Sequence, residues 1–199
     1  NTKKKSVGLF PYGLIARSGT PNTLGFYILH EGPLGVFNDT LREYDYDDLQ
    51  ETRKVEVQST GGWIGITDKY WLAALVPDQS VGSTYRFVHS LKNKDDRYQV
   101  DYLGQETRIA VGQQIETVNR LLAGAKEVKL LDAYSEQYGI KNFDLAVDFG
   151  WFYFLTKPFF YAISWLNTYL GNFGLAIIAF TVFVKIVFFP LANKSYKSM

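Results

Sequence analysis

One charged side chain stands inside the most apolar stretch of this chain. Residues 173–191 read FGLAIIAFTVFVKIVFFPL and carry a single cation, Lys185, and a single side-chain hydroxyl, Thr181. Four residues apart, the two share one face of a helix, so an ammonium and a hydroxyl would line the same wall. Lodging a lysine near the centre of a spanning helix costs roughly 2.5 to 3.5 kcal/mol on insertion scales, and something must offset that cost. Two accounts are open. In one, the long stem snorkels and lifts the ammonium towards the cytoplasmic headgroups. In the other, Lys185 and Thr181 face a water-filled cavity inside a helix bundle.

The remaining residues with chemical potential form no reactive constellation. His30 and His89 are isolated and lack metal-ligand spacing, so each is expected to be structural. The run EYDYDD at residues 43–48 lacks the alternating oxygen ligands and the glycine of a calcium loop and is read as a solvated acidic turn. Trp63 and Trp71, with Tyr70, have the ring area to stack on a sugar, but sheet packing is the favoured account. Neither a Ser, His and acid set nor paired carboxylates can be picked out, so no catalytic site, metal or other cofactor is expected.

Three kinds of element must position these residues. Residues 173–191 span about 28 Å as a helix, close to the roughly 30 Å of a bilayer's hydrocarbon core. Asn193, Lys194 and Lys197 follow at once, so the positive-inside rule places the C-terminus in the cytoplasm and residues 1–172 outside it. Residues 151–170, WFYFLTKPFFYAISWLNTYL, are expected to form an interfacial helix starting at Thr156 to Pro158, since proline suits a first turn. Lys157, Tyr161, Ser164 and Thr168 make one polar face. Phe159, Ile163, Leu166 and Leu170 lie opposite, with Trp165 and Tyr169 at the border and Trp151 at the entrance. From Pro158 to Leu170 such a helix covers only about 20 Å, too short to cross.

Upstream, the pattern is one of short strands. Residues 23–29, 35–37, 54–59, 63–67, 71–76, 85–90, 97–102 and 107–111 are rich in β-branched and aromatic side chains and are separated by turn residues, which predicts an antiparallel sandwich. Residues 114–124 are read as a last strand leading into a helix at 127–138, stopped by Gly139. The 199 residues have room for one such domain plus a membrane segment. A net charge of +1 without a long basic run gives no footprint for nucleic acid. With no cysteine there are no disulfides or thiolate metal sites. The chain opens at Asn1 without a start methionine and closes in a continuing helix, so it is expected to be a piece of a longer protein.

The junction DFGWFYFLTKPFF, then GNFG and FTVFVKIVFFPLANKSYKSM, resembles the YidC family of membrane protein insertases. PYGLIARSGTP, GGWIGITDKYWLAALVPD and LLAGAKEVKLL resemble periplasmic portions of its Gram-negative members, so the likeness covers most of the chain. The resemblance implies a mainly β fold: a periplasmic β-supersandwich with a helical linker (1–147), a periplasmic interfacial amphipathic helix and bend (148–172), a transmembrane helix (173–191) and the start of a cytoplasmic helical region (192–199). It implies a non-enzymatic insertase of the bacterial inner membrane, multi-pass at full length, with five core helices around a hydrophilic groove. Lys185 matches the groove's basic residue, often arginine in relatives, and Thr181 a groove-lining hydroxyl. The implied partners are nascent membrane proteins, the Sec translocon and its accessory subunits, the ribosome through regions outside this chain, and the lipid bilayer. Two other readings stand beside it: a membrane-tethered carbohydrate-binding or epimerase-like sandwich, and a passive single-pass envelope scaffold.

Overall fold

The computed structural model describes residues 6–23, 29–150 and 152–197. Asn1–Asp148 and Phe149–Met199 are two compact units. The first runs β1 (Val7–Leu9), β2 (Tyr12–Ser18), β3 (Gly32–Phe37), β4 (Thr40–Glu43), α1 (Tyr46–Thr52), β5 (Lys54–Thr60), β6 (Trp63–Thr67), β7 (Trp71–Val76), β8 (Gly82–Lys92), β9 (Asp95–Gly104), β10 (Thr107–Ile109), β11 (Arg120–Ala125) and α2 (Val128–Tyr138), then a 3₁₀ turn at Phe143–Ala146. The second holds α3 (Tyr153–Leu170) and α4 (Phe173–Lys197).

β3 and β6 are buried along their whole lengths, which requires cover on both faces of their sheet. That sheet has the order β11-β7-β6-β3-β4, and a second has the order β2-β9-β8-β5; all their pairings are antiparallel. Side chains alternate across a strand. Phe37, Ile64, Ile66 and Leu75 therefore face the second sheet and pack with Tyr85, Phe87, Tyr98, Val100 and Tyr102. Leu34, Val36, Trp63, Leu72 and Ala74 point the other way, onto Leu131 of α2 and Ile140, Phe143 and Ala146 beyond it. The helical linker is thus a third layer of the core. Gly139 ends α2 in the left-handed region at φ 64°, where a side chain would meet its own backbone. β1 and β10 pair as a separate two-stranded ribbon.

The fold is mainly β, a sandwich followed by helices, as expected. β6 and β7 fall at the expected residues, and β11 leads into α2. Most of the expected strand at 23–29 lies outside the described residues. Three strands and one helix were not anticipated: β1, β2, β4 and α1. β2 escapes the pattern because its inward positions are Gly13, Ile15 and Arg17, with an arginine where an apolar residue would signal a strand. The acidic run is not a free turn: Glu43 ends β4, and Asp47 and Asp48 occupy the first turn of α1. Carboxylates there oppose the positive end of the helix dipole, while Tyr46 and Leu49 one turn apart bury the helix's inner face.

In the second unit, α3 has 18 residues and begins at Tyr153, five residues before Pro158. The Thr156 hydroxyl donates to the carbonyls of Phe149 (2.9 Å) and Phe152 (3.0 Å), which secures the start upstream of the proline. At about 27 Å, α3 is long enough to approach a spanning length, so brevity no longer separates interface from span. Gly171, at φ 62°, stops it. Asn172 then caps α4, its Oδ1 accepting from the Leu175 amide at 3.1 Å. The two helices pack together, with Phe159 edge-on to Phe180 at 5.0 Å between ring centroids.

Candidate functional site

α4 contains the segment Phe173–Pro190, long and apolar enough to cross a membrane and the one such segment among the described residues. Lys185 lies twelve residues from Phe173, about 18 Å along the axis, and is exposed. Turning about 100° per residue, Ala176 and Phe180 share one side of α4. Ala176 is fully buried and Phe180 meets α3. Lys185 comes out on the opposite side and Thr181 on the flank next to it, both exposed. The two residues singled out from sequence are therefore brought together, on the face turned away from α3. The Thr181 hydroxyl donates to the Ile177 carbonyl at 2.8 Å, so its proton is engaged by its own helix and its oxygen is left to accept.

On α3, the side chains expected to reach lipid are placed unevenly. Phe159, Ile163 and Leu166 are half-buried, Phe159 against Phe180, whereas Trp165 is exposed and packs on Tyr169 at 4.9 Å. Trp151 lies outside the described residues. The expected polar face is tied up within the unit. Ser164 is buried, Thr168 donates to the Trp165 carbonyl at 2.7 Å, and Lys157 donates to the Tyr153 hydroxyl at 3.1 Å.

In the sandwich, Trp63 is fully buried and meets Phe143 edge-on at 5.4 Å, which removes it as a sugar platform. Trp71 and Tyr70 are exposed. Each histidine is paired with an aspartate: His30 Nδ1 lies 3.5 Å from Asp45, and His89 Nε2 lies 2.8 Å from Asp96. Asp96 also accepts from Thr20, and Tyr98 joins Thr20 to Gln50. The hydrogen bond from His89, then that from Thr20, holds the Asp96 carboxyl below its usual range.

Two polar clusters were missed from sequence because their members are far apart in the chain. Arg17 forks onto both oxygens of Asp68 at 2.5 and 2.9 Å and donates to the Tyr46 hydroxyl at 2.8 Å; the Asp68 bond chiefly raises its already high pKa. On the outer face of the four-stranded sheet, fully buried Asp101 accepts from Arg86 Nε and Gln99 Nε2, each at 2.6 Å. A cavity of about 180 Å³ is lined by Val36, Asn38, Asp39, Thr60, Gly62 and Lys141. Among the described residues, no group of three or more His, Asp or Glu side chains could hold a metal ion.

A sandwich with a helical layer fused to its core is followed in the chain by two packed helices, one of them long and apolar enough to cross a membrane, so the class is a β domain joined to a candidate spanning helix. Comparison with known proteins then narrows the class. The family model for the YidC periplasmic domain matches residues 1–162. The membrane protein insertases YidC of Rickettsia felis and Rickettsia africae are each 46% identical over 200 residues, and that of Rickettsia bellii is 44% identical; each match covers 100% of this chain and 36% of the relative. The chain belongs to the YidC family. It spans little more than a third of the length of these relatives.

Proposed function

We propose that this chain is part of a membrane protein insertase and that Lys185 and Thr181 form one wall of a hydrated groove. The observation that carries this reading is that the lone cation of the apolar span is exposed on the side of α4 away from α3, where further helices of the full-length protein can enclose it. In a groove, a polar extracytoplasmic tail of a nascent membrane protein meets water and the ammonium, while its apolar segment passes into lipid. The cost of desolvation is then spread over a shortened path. Thr181 offers its oxygen as an acceptor on the same wall. The process needs no covalent step, nucleotide or metal.

Lys194 and Lys197 after the span support, by the positive-inside rule, a cytoplasmic C-terminus with residues 1–172 on the periplasmic side of the inner membrane. α3 lies at the periplasmic interface, with the side of Trp165 in contact with lipid. The sandwich acts in association rather than chemistry, with the Sec translocon as the partner inferred from the family resemblance, and ribosome contacts fall to other parts of the full-length protein. The test is insertion by the full-length protein of substrates whose translocated tails differ in charge. Lys185→Arg should keep the parental rate, because the cation is retained although its geometry changes. Lys185→Glu should slow insertion of acidic tails most, and Lys185→Ala should matter least for tails with little negative charge. Parental rates for every substrate with both Lys185→Glu and Lys185→Ala would remove the groove reading.

A further inference from the structure

α4 is apolar on nearly every side. Apart from Thr181 and Lys185, no residue of 173–189 has a polar side chain. Lipid is as apolar as the Ile, Val and Phe it would meet, so partition alone leaves the rotation of such a helix about its own axis nearly free. The direction of Lys185 depends on that rotation. At a side-chain radius of about 5 to 6 Å, a turn of about 60° carries the ammonium about 6 Å sideways.

Three features of the helix pair set the rotation. Only Gly171 and Asn172 join α3 to α4. The Gly171 amide donates to the Asn167 carbonyl at 2.9 Å and the Asn172 carbonyl accepts from the Ala176 amide at 3.1 Å, which ties the first turn of α4 to the end of α3. Ala176 is then fully buried, and Ser164 on α3 is 7% exposed; side chains this small let two helix backbones approach closely. One turn beyond Ala176, Phe180 meets Phe159 of α3 at 5.0 Å between centroids with planes inclined by 68°. This is the one ring contact between α3 and α4 among the described residues. Edge-on rings prefer a particular orientation, so the pair holds an angle where aliphatic side chains would slide. Phe183, Ile186 and Val187 further along are exposed. Lys185 follows Phe180 by five residues, about 140° around the axis, so its direction is inherited from the ring pair.

We propose that the Phe159–Phe180 contact is a positioning element for insertion: it fixes the rotation of α4 and thereby aims Lys185 at substrate. This rests on the groove reading above and names the residues that orient its cation. Single cysteines at Thr181, Val182, Lys185 and Ile186, introduced one at a time into the full-length protein otherwise free of cysteine, report which side of α4 meets water. Each is scored by its rate of reaction with a membrane-impermeant thiol reagent added from the cytoplasmic side, with Phe180 intact and with Phe180→Ala. With Phe180 intact the rate should peak at position 185. In Phe180→Ala the peak should leave 185 for one of the neighbouring positions, and Phe180→Leu, which keeps apolar bulk without the ring edge, should restore it only in part. Phe159→Ala, acting from the other helix, should give the same shift and is the second variant should Phe180→Ala fail to accumulate.

With Lys185 present, Phe180→Ala should also slow insertion of acidic tails several-fold more than insertion of tails with little negative charge, as Lys185→Ala does. A peak that stays at 185 in both Phe180→Ala and Phe159→Ala would overturn the positioning role while leaving the groove reading intact. Equal slowing of acidic and neutral tails would overturn it too, since a purely structural defect does not sort substrates by charge. If no peak at 185 exists with Phe180 intact, the groove reading fails and this proposal with it.

Discussion

Replacing Phe143 by alanine tests whether the linker after α2 is part of the sandwich core or a tether beside it. The ring is 1% exposed and meets Trp63 edge-on at 5.4 Å with planes inclined by 75°. Phe→Ala at a site of this kind costs about 3 to 5 kcal/mol, since transfer and cavity contributions add. The edge-to-face contact accounts for roughly 0.5 to 1.5 kcal/mol of that. Against a domain stability of about 5 to 15 kcal/mol, the fold should survive but weakened. For a unit of this size each kcal/mol moves Tm by about 2 to 4 °C, so Phe143→Ala should lower it by about 6 to 20 °C. Tyr138→Ala, on the neighbouring α2, supplies the control. Tyr138 is 36% exposed and lies 4.3 Å from the Arg120 guanidinium, a contact worth about 0.5 to 1 kcal/mol at an exposed site. Urea and thermal unfolding of residues 1–148, followed by circular dichroism and tryptophan fluorescence, gives both numbers. A loss at Phe143 no larger than that at Tyr138 would refute the three-layer core.

Arg86→Met should destabilise the sandwich by about 2 to 3 kcal/mol, because it strands the buried Asp101 carboxylate with Gln99 alone. The figure sits below that for a fully buried pair because the arginine is 29% exposed and partly screened. The double variant Arg86→Met, Asp101→Leu should recover most of the loss in urea titrations; recovery of none would contradict the assignment. Asp96 has its folded pKa depressed below the reference 3.8. Its stabilisation is therefore present above about pH 4 and lost as the pH falls through the folded value. A Tm series from about pH 7 to about pH 3 should show a shallower acid limb for Asp96→Asn, and an unchanged limb would contradict the pairing.

Strands such as β6 and β7 were legible because WIGIT and WLAALV concentrate apolar and aromatic residues between turn signals. Their two-sided burial also explains why they read as continuous apolar runs rather than alternating ones. β2 was not legible, because Arg17 points inward, where Asp68 neutralises it and the Tyr46 hydroxyl accepts a hydrogen bond from it. α1 has only seven residues, too few for helical periodicity to rise above its acidic composition. On α3, periodicity sorts apolar from polar by residue type but carries no information on which side packs against α4. Burial there is set by packing on α4, which covers Phe159 and leaves Trp165 and Tyr169 exposed. At the candidate groove, the shared face of Thr181 and Lys185 follows from four-residue spacing. Its position opposite the α3 contact depends on where Phe159 and Phe180 meet, which no local pattern encodes.

The central claim, that Lys185 lines a hydrated groove used by substrate, is tested most directly at that position. In the full-length protein, Lys185→Cys should react with a small membrane-impermeant thiol reagent supplied from the cytoplasmic side, and the reaction should slow when a stalled nascent substrate occupies the protein. A thiol that stays unreactive, or that reacts at the same rate with and without the stalled substrate, would contradict the account.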